Sequence, residues 1–177
     1  MALSEKDKEQ LREIAKNAIE SALFGQKEIA VTLGENLKEK GGAFVTIKKK
    51  GDLRGCIGYI RAVFPVHQTV KEAAVQAAFH DPRFGPLTRN EWKDIEIEIS
   101  VLTPMKMIAS IEEIEVGTHG LYIEKGYESG LLLPQVATEY NWDRTTFLEH
   151  TCYKAGLQKD AWKGRGVNIY IFSADIF

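Results

Sequence analysis

The 177-residue sequence lacks several features that would decide its class at once. Its two cysteines are too few for a disulfide scaffold. No apolar run approaches the roughly 18 residues that a membrane-spanning helix needs. The polar, mixed-charge start over residues 1–9 has no apolar segment of the kind that signal peptides carry. Together these absences predict a cytoplasmic protein with no membrane segment.

Charge and short motifs exclude further classes. The net charge is −2 and there is no basic surplus, which disfavours nucleic acid as a partner. No P-loop and no Gly-x-Gly-x-x-Gly fingerprint is present, which leaves dedicated nucleotide binding without support. The sequence also has no Cys-x-x-Cys and no His-x-x-x-His pair. We therefore expect no metal site and no cofactor, although two cysteines and four histidines could still meet in space.

What is present is an ordinary globular composition, 44% hydrophobic and 27% charged. No linker of Ser or Pro and no internal repeat divides the chain. We expect one domain over residues 1–177, or two lobes of it joined without a flexible linker. Apolar periodicity predicts an α+β fold with mostly antiparallel sheet, because helices and strands do not alternate as in a doubly wound fold. The predicted helices cover residues 5–24, 65–79, 136–140 and 144–155, and the predicted strands 43–47, 53–60, 95–102, 121–124, 130–133 and 167–173.

The hexapeptide Leu53-Arg54-Gly55-Cys56-Ile57-Gly58 holds the most informative chemistry. It places a thiol between two glycines on the returning strand of a predicted hairpin. Glycine allows close approach of another backbone or a ligand. Arg54 would favour the nucleophilic thiolate if its head group faced Cys56. The alternative is a small buried cysteine in a glycine-rich hairpin, since free cysteine is often buried.

The segment His80-Asp81-Pro82-Arg83 gathers an imidazole, a carboxylate and a guanidinium on a loop after a helix. His80 could move protons near neutral pH and act as base for Cys56. Arg83 could grip a carboxylate or a phosphate with two hydrogen bonds. The alternative is a self-satisfied loop, in which His80 caps the helix and Arg83 pairs with Asp81 or Glu98.

Two further side chains are candidates by position. Glu98 lies on the polar face of the clearest strand, where it is an ordinary surface charge unless something covers that face. Gln135 follows an apolar strand and opens a helical turn, so its amide could bind a ligand or simply cap the helix.

The hexapeptide and five later blocks together resemble the AMMECR-domain family, known as system protein A of AmmeMemoRadiSam gene neighbourhoods. The resemblance runs from about residue 10 to the end of the sequence. The later blocks follow in the family's order and are residues 80–84, 97–102 and 130–137, then Trp142 with Phe147-Leu148, and finally residues 152–157 with Trp162.

The resemblance implies two unequal α+β lobes with a cleft between them. The cleft would be lined by Arg54, Cys56, His80, Asp81, Arg83, Glu98 and Gln135. We assign catalytic roles to Cys56, His80 and Glu98, and binding roles to the other four.

The family's reaction is unsettled, so three functions stay open. The first is an enzyme or enzyme subunit for a small anionic or peptide substrate, working with a radical-SAM protein and a Memo-type protein. The second is a non-catalytic adaptor that holds a protein partner. The third is RNA or nucleotide binding, which the net charge disfavours.

Overall fold

The structure is a computed structural model that describes residues 3–27 and 29–177. The described chain separates into two compact units. Unit 1 extends to Leu102 and includes Asp175–Phe177, whereas unit 2 is Thr103–Ala174. Each unit has its own antiparallel sheet and its own hydrophobic core, which confirms the α+β fold. No described helix is both long enough and apolar enough to cross a membrane.

Unit 1 is a four-stranded sheet with two helices on one face. The helices are α1 (Glu5–Phe24) and α2 (Val66–Phe79), and the strands are β1 (Ala43–Lys49), β2 (Asp52–Tyr59), β3 (Ile95–Leu102) and β8 (Ala174–Ile176). The strand order is β2-β1-β3-β8, so β2 is an edge strand. Short 3-10 helices at Glu35–Lys38 and Arg89–Asp94 were not predicted from the sequence.

The first helix begins and ends as its sequence indicates. The Ser4 hydroxyl accepts from the Asp7 N–H, and the Asp7 carboxylate accepts from the Ser4 N–H, which forms a capping box. Gly25 ends the helix with φ 69°, a left-handed conformation that glycine adopts at little cost. The apolar stripe of α1 joins one core with the inward side chains of the sheet. Burial of this stripe stabilises the unit far more than helix propensity does.

The second helix packs unusually close to the sheet, because its inner face is built of alanine. Ala73, Ala74 and Ala77 are buried against β1 and β2. A Cβ atom on Gly55 would lie 2.1 Å from the Ala77 carbonyl oxygen. Because the helix presents small side chains and the strand presents a glycine, the end of α2 lies in close contact with β2.

Unit 2 is a second four-stranded antiparallel sheet, with order β4-β7-β5-β6. Its strands are β4 (Lys106–Met107), β5 (Gly120–Lys125), β6 (Glu128–Leu132) and β7 (Asn168–Phe172). Its helices are α3 (Pro134–Glu139) and α4 (Arg144–Lys154), and 3-10 turns lie at Ile111–Glu113 and Ala161–Lys163. Phe147, Leu148 and Cys152 of α4 pack into the core of this unit.

Replacing Gly55 by alanine is expected to destabilise unit 1 by about 3 kcal/mol, since the added methyl group overpacks the helix–sheet contact. Gly85→Ala is the matched control, because a Cβ atom added there would meet no other atom within 4 Å and its φ is not positive. Urea unfolding followed by circular dichroism measures both. Equal stability of the two variants would contradict the close packing of α2 on β2.

Candidate functional site

Three polar side chains form a row across the sheet of unit 1. Thr46 on β1 stands opposite Cys56 on β2 and opposite Glu98 on β3. Directly paired residues point to the same face of a sheet, and their neighbours Val45, Ile47 and Ile99 point into the core. The row therefore lies on the face away from α1 and α2. With strands about 4.8 Å apart, Cys56 and Glu98 are about 10 Å apart along the row.

Cys56 is half-buried, and its thiol is hydrogen-bonded. The Thr46 hydroxyl donates to its sulfur over 3.2 Å. This closeness follows from the register, because Cys56 directs its N–H away from β1 and the two residues form a non-hydrogen-bonded pair, in which side chains are nearest. The sequence analysis missed Thr46. The alternation of Phe44, Thr46 and Lys48 with buried residues in β1 was the signal that could have found it.

A buried carboxylate holds the backbone of Cys56. Asp81 Oδ2 accepts the Cys56 N–H at 2.9 Å, a group that would otherwise be unpaired on an edge strand. Arg83 donates through Nε to Asp81 Oδ1 at 3.0 Å and through Nη2 to Oδ2 at 2.7 Å. Arg83 Nη2 also donates to the Cys56 carbonyl oxygen at 3.3 Å. Asp81 and Arg83 thus bind the N–H and the carbonyl of one residue, and we call this arrangement the Cys56 clamp.

The clamp is strongly ionic. The Arg83 hydrogen bond, helped by the N–H groups of Cys56 and Arg83, holds the pKa of Asp81 well below its usual range despite burial. The pKa of Arg83 is raised, chiefly by its hydrogen bond to Asp81. The Asp81 side chain is 1% exposed, whereas that of Arg83 is 54% exposed. Arg83 therefore keeps part of its guanidinium open to a ligand.

Arg54 does not lie against the thiol. Its Nε and Nη2 donate to the two carboxylate oxygens of Glu91 at 3.0 and 3.1 Å, and its Nη1 donates to the Gly85 carbonyl at 3.0 Å. The cause is a β-bulge, since the register shifts between Ile47 and Lys48 and leaves Arg54 without a direct partner on β1. A bulge re-aims the side chain of the extra residue. The cation beside Cys56 is consequently Arg83.

Glu91 is a structural residue that the sequence analysis missed. It binds Arg54 and also Lys49, whose Nζ lies 2.9 Å from Oε1. These contacts hold the pKa of Glu91 well below its usual range, and the hydrogen bond from Arg54 contributes most to this. The Thr88-x-x-Glu91 spacing of a capping box was the signal in the sequence, and the structure forms that box.

The remaining predicted site residues have different surroundings. His80 is the exposed C-cap of α2 and adjoins Asp81 on the same loop. Glu98 binds Lys48, with Nζ 2.9 Å from Oε2. Gln135 belongs to unit 2 as the second residue of α3, and its side-chain oxygen is buried without a partner among the described residues. A place for Gln135 beside Cys56 stays a prediction.

The site thus offers a thiol with a hydroxyl donor at 3.2 Å, a half-exposed guanidinium bound to the carbonyl oxygen of the same cysteine, and an ion pair at the far end of the row. Across residues 3–27 and 29–177, no three His, Cys, Asp or Glu side chains gather as metal ligands would. A thiol with a hydroxyl donor could act as a nucleophile, and a half-exposed guanidinium could bind an anion.

This chain resembles known proteins both in its sequence and in its fold. The AMMECR1 family profile matches residues 12–177. The chain belongs to the AMMECR1 family. A protein of Methanothermobacter thermautotrophicus is 44% identical over 184 residues, covering 99% of this chain and 95% of that protein. Protein MJ0810 of Methanocaldococcus jannaschii is 44% identical over 171 residues, covering 92% of this chain and 85% of that protein.

A solved structure has the same fold. The crystal structure of uncharacterized protein PH0010 from Pyrococcus horikoshii has a TM-score of 0.89 and 38% sequence identity, and the match covers 98% of this chain and 91% of that one. The fold and family that the hexapeptide and later blocks indicated are therefore confirmed. Membership itself names no substrate.

Replacing Asp81 by asparagine is expected to destabilise the protein by about 2 kcal/mol at pH 7, because Arg83 loses its charged partner. The folded-state pKa of Asp81 lies below its unfolded value of about 3.9, so its contribution is present above that pH and is lost as the pH falls toward the folded pKa. The stability difference between wild type and D81N should accordingly narrow below about pH 4. Urea unfolding at pH 7 and pH 3 measures it.

The control for this prediction is Glu35→Gln, whose carboxylate is 87% exposed and paired only with the exposed Lys38. It should change stability by less than about 0.5 kcal/mol at either pH. A D81N variant as stable as E35Q would show that the clamp contributes nothing.

Proposed function

We propose that the protein is an enzyme or an enzyme subunit, with Cys56 as the nucleophile toward a small anionic or peptide substrate. One observation carries the proposal: the sulfur of the half-buried Cys56 accepts a hydrogen bond from the Thr46 hydroxyl, and the half-exposed Arg83 binds the carbonyl oxygen of the same residue. A donor and a cation are the groups that hold a thiolate. A structural cysteine needs neither.

The proposed roles follow from the positions. Arg83 binds the anionic group of the substrate through the part of its guanidinium that faces solvent. Cys56 adds to an electrophilic carbon that is doubly bonded to an electronegative atom, so that the S–H bond and the π bond at that carbon break and an S–C bond forms. The proton passes through His80, on the same loop as Arg83, to the electronegative atom of the substrate. Glu98 and its partner Lys48 bound the other end of the row and limit substrate length.

The proposal also covers the partner proteins and the cellular location. By family resemblance, the substrate would be passed to or from a radical-SAM protein and a Memo-type protein. We propose a cytoplasmic location and no nucleic-acid partner, in line with the net charge of −2.

A second function, that of an adaptor, is favoured by a different observation. A cleft of about 460 Å³ on unit 1 is lined by Tyr59, Phe64, Gln68, Thr69, Lys71 and Glu72. Phe64 is 57% exposed and its neighbour Val63 is 54% exposed. Exposed apolar groups next to a cleft are typical of protein-binding surfaces. An adaptor would lose affinity for a Memo-type protein in V63S/F64S and keep it in C56S, as titration calorimetry would show.

Alkylation of the two cysteines tests the proposed nucleophile. Cys56 should react with iodoacetamide much faster than Cys152, which is fully buried and whose thiol pKa is raised by burial. Iodoacetate carries the carboxylate that Arg83 would bind, so the ratio of iodoacetate to iodoacetamide rates at Cys56 should exceed that of a free thiol by about tenfold. Peptide mapping by mass spectrometry measures each rate.

Arg83→Gln should bring this ratio down to that of a free thiol, and Arg83→Lys should restore part of it. Arg165→Gln, at an exposed position in unit 2, is the matched control and should leave the ratio unchanged. The proposal of an anion-directed nucleophile would be refuted if Cys56 did not react, or if the ratio of iodoacetate to iodoacetamide rates stayed the same in the Arg83 variants.

A further inference from the structure

A second cleft lies on unit 1, on the face of the sheet opposite Cys56. It has a volume of about 390 Å³ and is lined by Arg12, Lys16, Trp92, Lys93, Ile95 and Ile97. We call it the Trp92 cleft. Ile97 stands opposite the buried Ile47, whereas the next residue, Glu98, stands opposite Thr46 in the Cys56 row. The two sites therefore share β3 and use its alternate side chains.

The charge of the Trp92 cleft is one-sided. Three of its six lining residues are cations and none is a carboxylate. Arg12 lies 5.0 Å over the Phe177 ring, a contact that leaves its charge unneutralised. The protein as a whole is slightly acidic, with a net charge of −2. The cluster is thus a local excess of positive charge, and a concave apolar wall strengthens its field.

The floor of the cleft is apolar, planar and held in place. The Trp92 indole N–H donates to Glu20 Oε1 of α1 at 3.2 Å, so the hydrogen-bonding capacity of the ring is already used. Trp92, Ile95 and Ile97 are half-buried and present hydrocarbon surface next to the three cations. Fixing the ring before a ligand arrives lowers the entropy cost of binding.

We propose that the Trp92 cleft binds a small organic anion with a planar apolar body, such as an aromatic carboxylate, sulfonate or phosphate ester. The apolar body would pack on Trp92, Ile95 and Ile97, and the anionic group would bind Lys16, Lys93 and Arg12. An inorganic anion would leave the apolar floor unused. A neutral hydrocarbon would leave the three lining cations unused. Only a ligand with both parts matches both halves of the lining.

A matched pair of probes tests this ligand class. The dye 1-anilinonaphthalene-8-sulfonate carries a sulfonate, and N-phenyl-1-naphthylamine has the same rings without it. Titration followed by the indole signals of the three tryptophans locates the binding, with the Trp92 signal assigned from Trp92→Phe. The anionic dye should shift the Trp92 signal. The neutral dye should bind there at least about tenfold more weakly.

The double variant K16Q/K93Q should weaken binding of the anionic dye about tenfold and leave binding of the neutral dye unchanged. K27Q/K159Q removes the same net charge at exposed positions elsewhere and should leave both affinities unchanged. A Trp92 signal that does not move, equal affinity for the two dyes, or equal losses in the two double variants would each overturn the proposal. Cys56 alkylation should proceed at the wild-type rate in K16Q/K93Q, so failure here is separable from failure of the proposed nucleophile.

Discussion

The Asp81 carboxylate is the constraint on which the site depends. It is buried at the edge of a sheet, where an ion without partners would be too costly to keep. Its two oxygens are satisfied by Arg83 and by the Cys56 N–H, so the loop after α2 is fastened to one residue of β2. The alanine face of α2 and Gly55 make this possible, since they let the helix end come close enough for a side chain as short as aspartate to reach the strand.

A single 3-10 turn, Arg89–Asp94, contacts both the hairpin that carries Cys56 and the Trp92 cleft. Glu91 holds Arg54 and Lys49 of the hairpin, and the next residue, Trp92, forms the floor of the cleft. Arg89 donates to the Leu23 carbonyl at the end of α1. Neighbouring residues of one short turn therefore hold the hairpin and form the floor of the Trp92 cleft, which explains why a segment with no buried residue has a defined conformation.

Much of this arrangement follows from local sequence, and some of it cannot. The alternation of apolar residues predicted β3 to the residue, and the Ser4–Asp7 capping box predicted the start of α1. Local motifs show which side chains carry reactive groups. That was enough to predict, as site residues, the Cys56 thiol, the loop of Asp81 and Arg83, and Glu98. Which cation meets which anion depends on register and on loops closing over more than twenty residues, as between Cys56 and Asp81. Local sequence does not encode those distances.

The hairpin shows how one residue decides that outcome. In a regular strand Arg54 and Cys56, two positions apart, would share a face and the arginine would flank the thiol. The bulge gives β2 an extra residue opposite β1, and Arg54 turns to Glu91 instead. The same extra residue sets the register that places Thr46 beside the Cys56 sulfur, because a shift of one position would move the thiol to the helix face. The bulge therefore turns Arg54 away from the thiol. The same bulge places the Thr46 hydroxyl next to the Cys56 sulfur, and the cation that contacts Cys56 is Arg83.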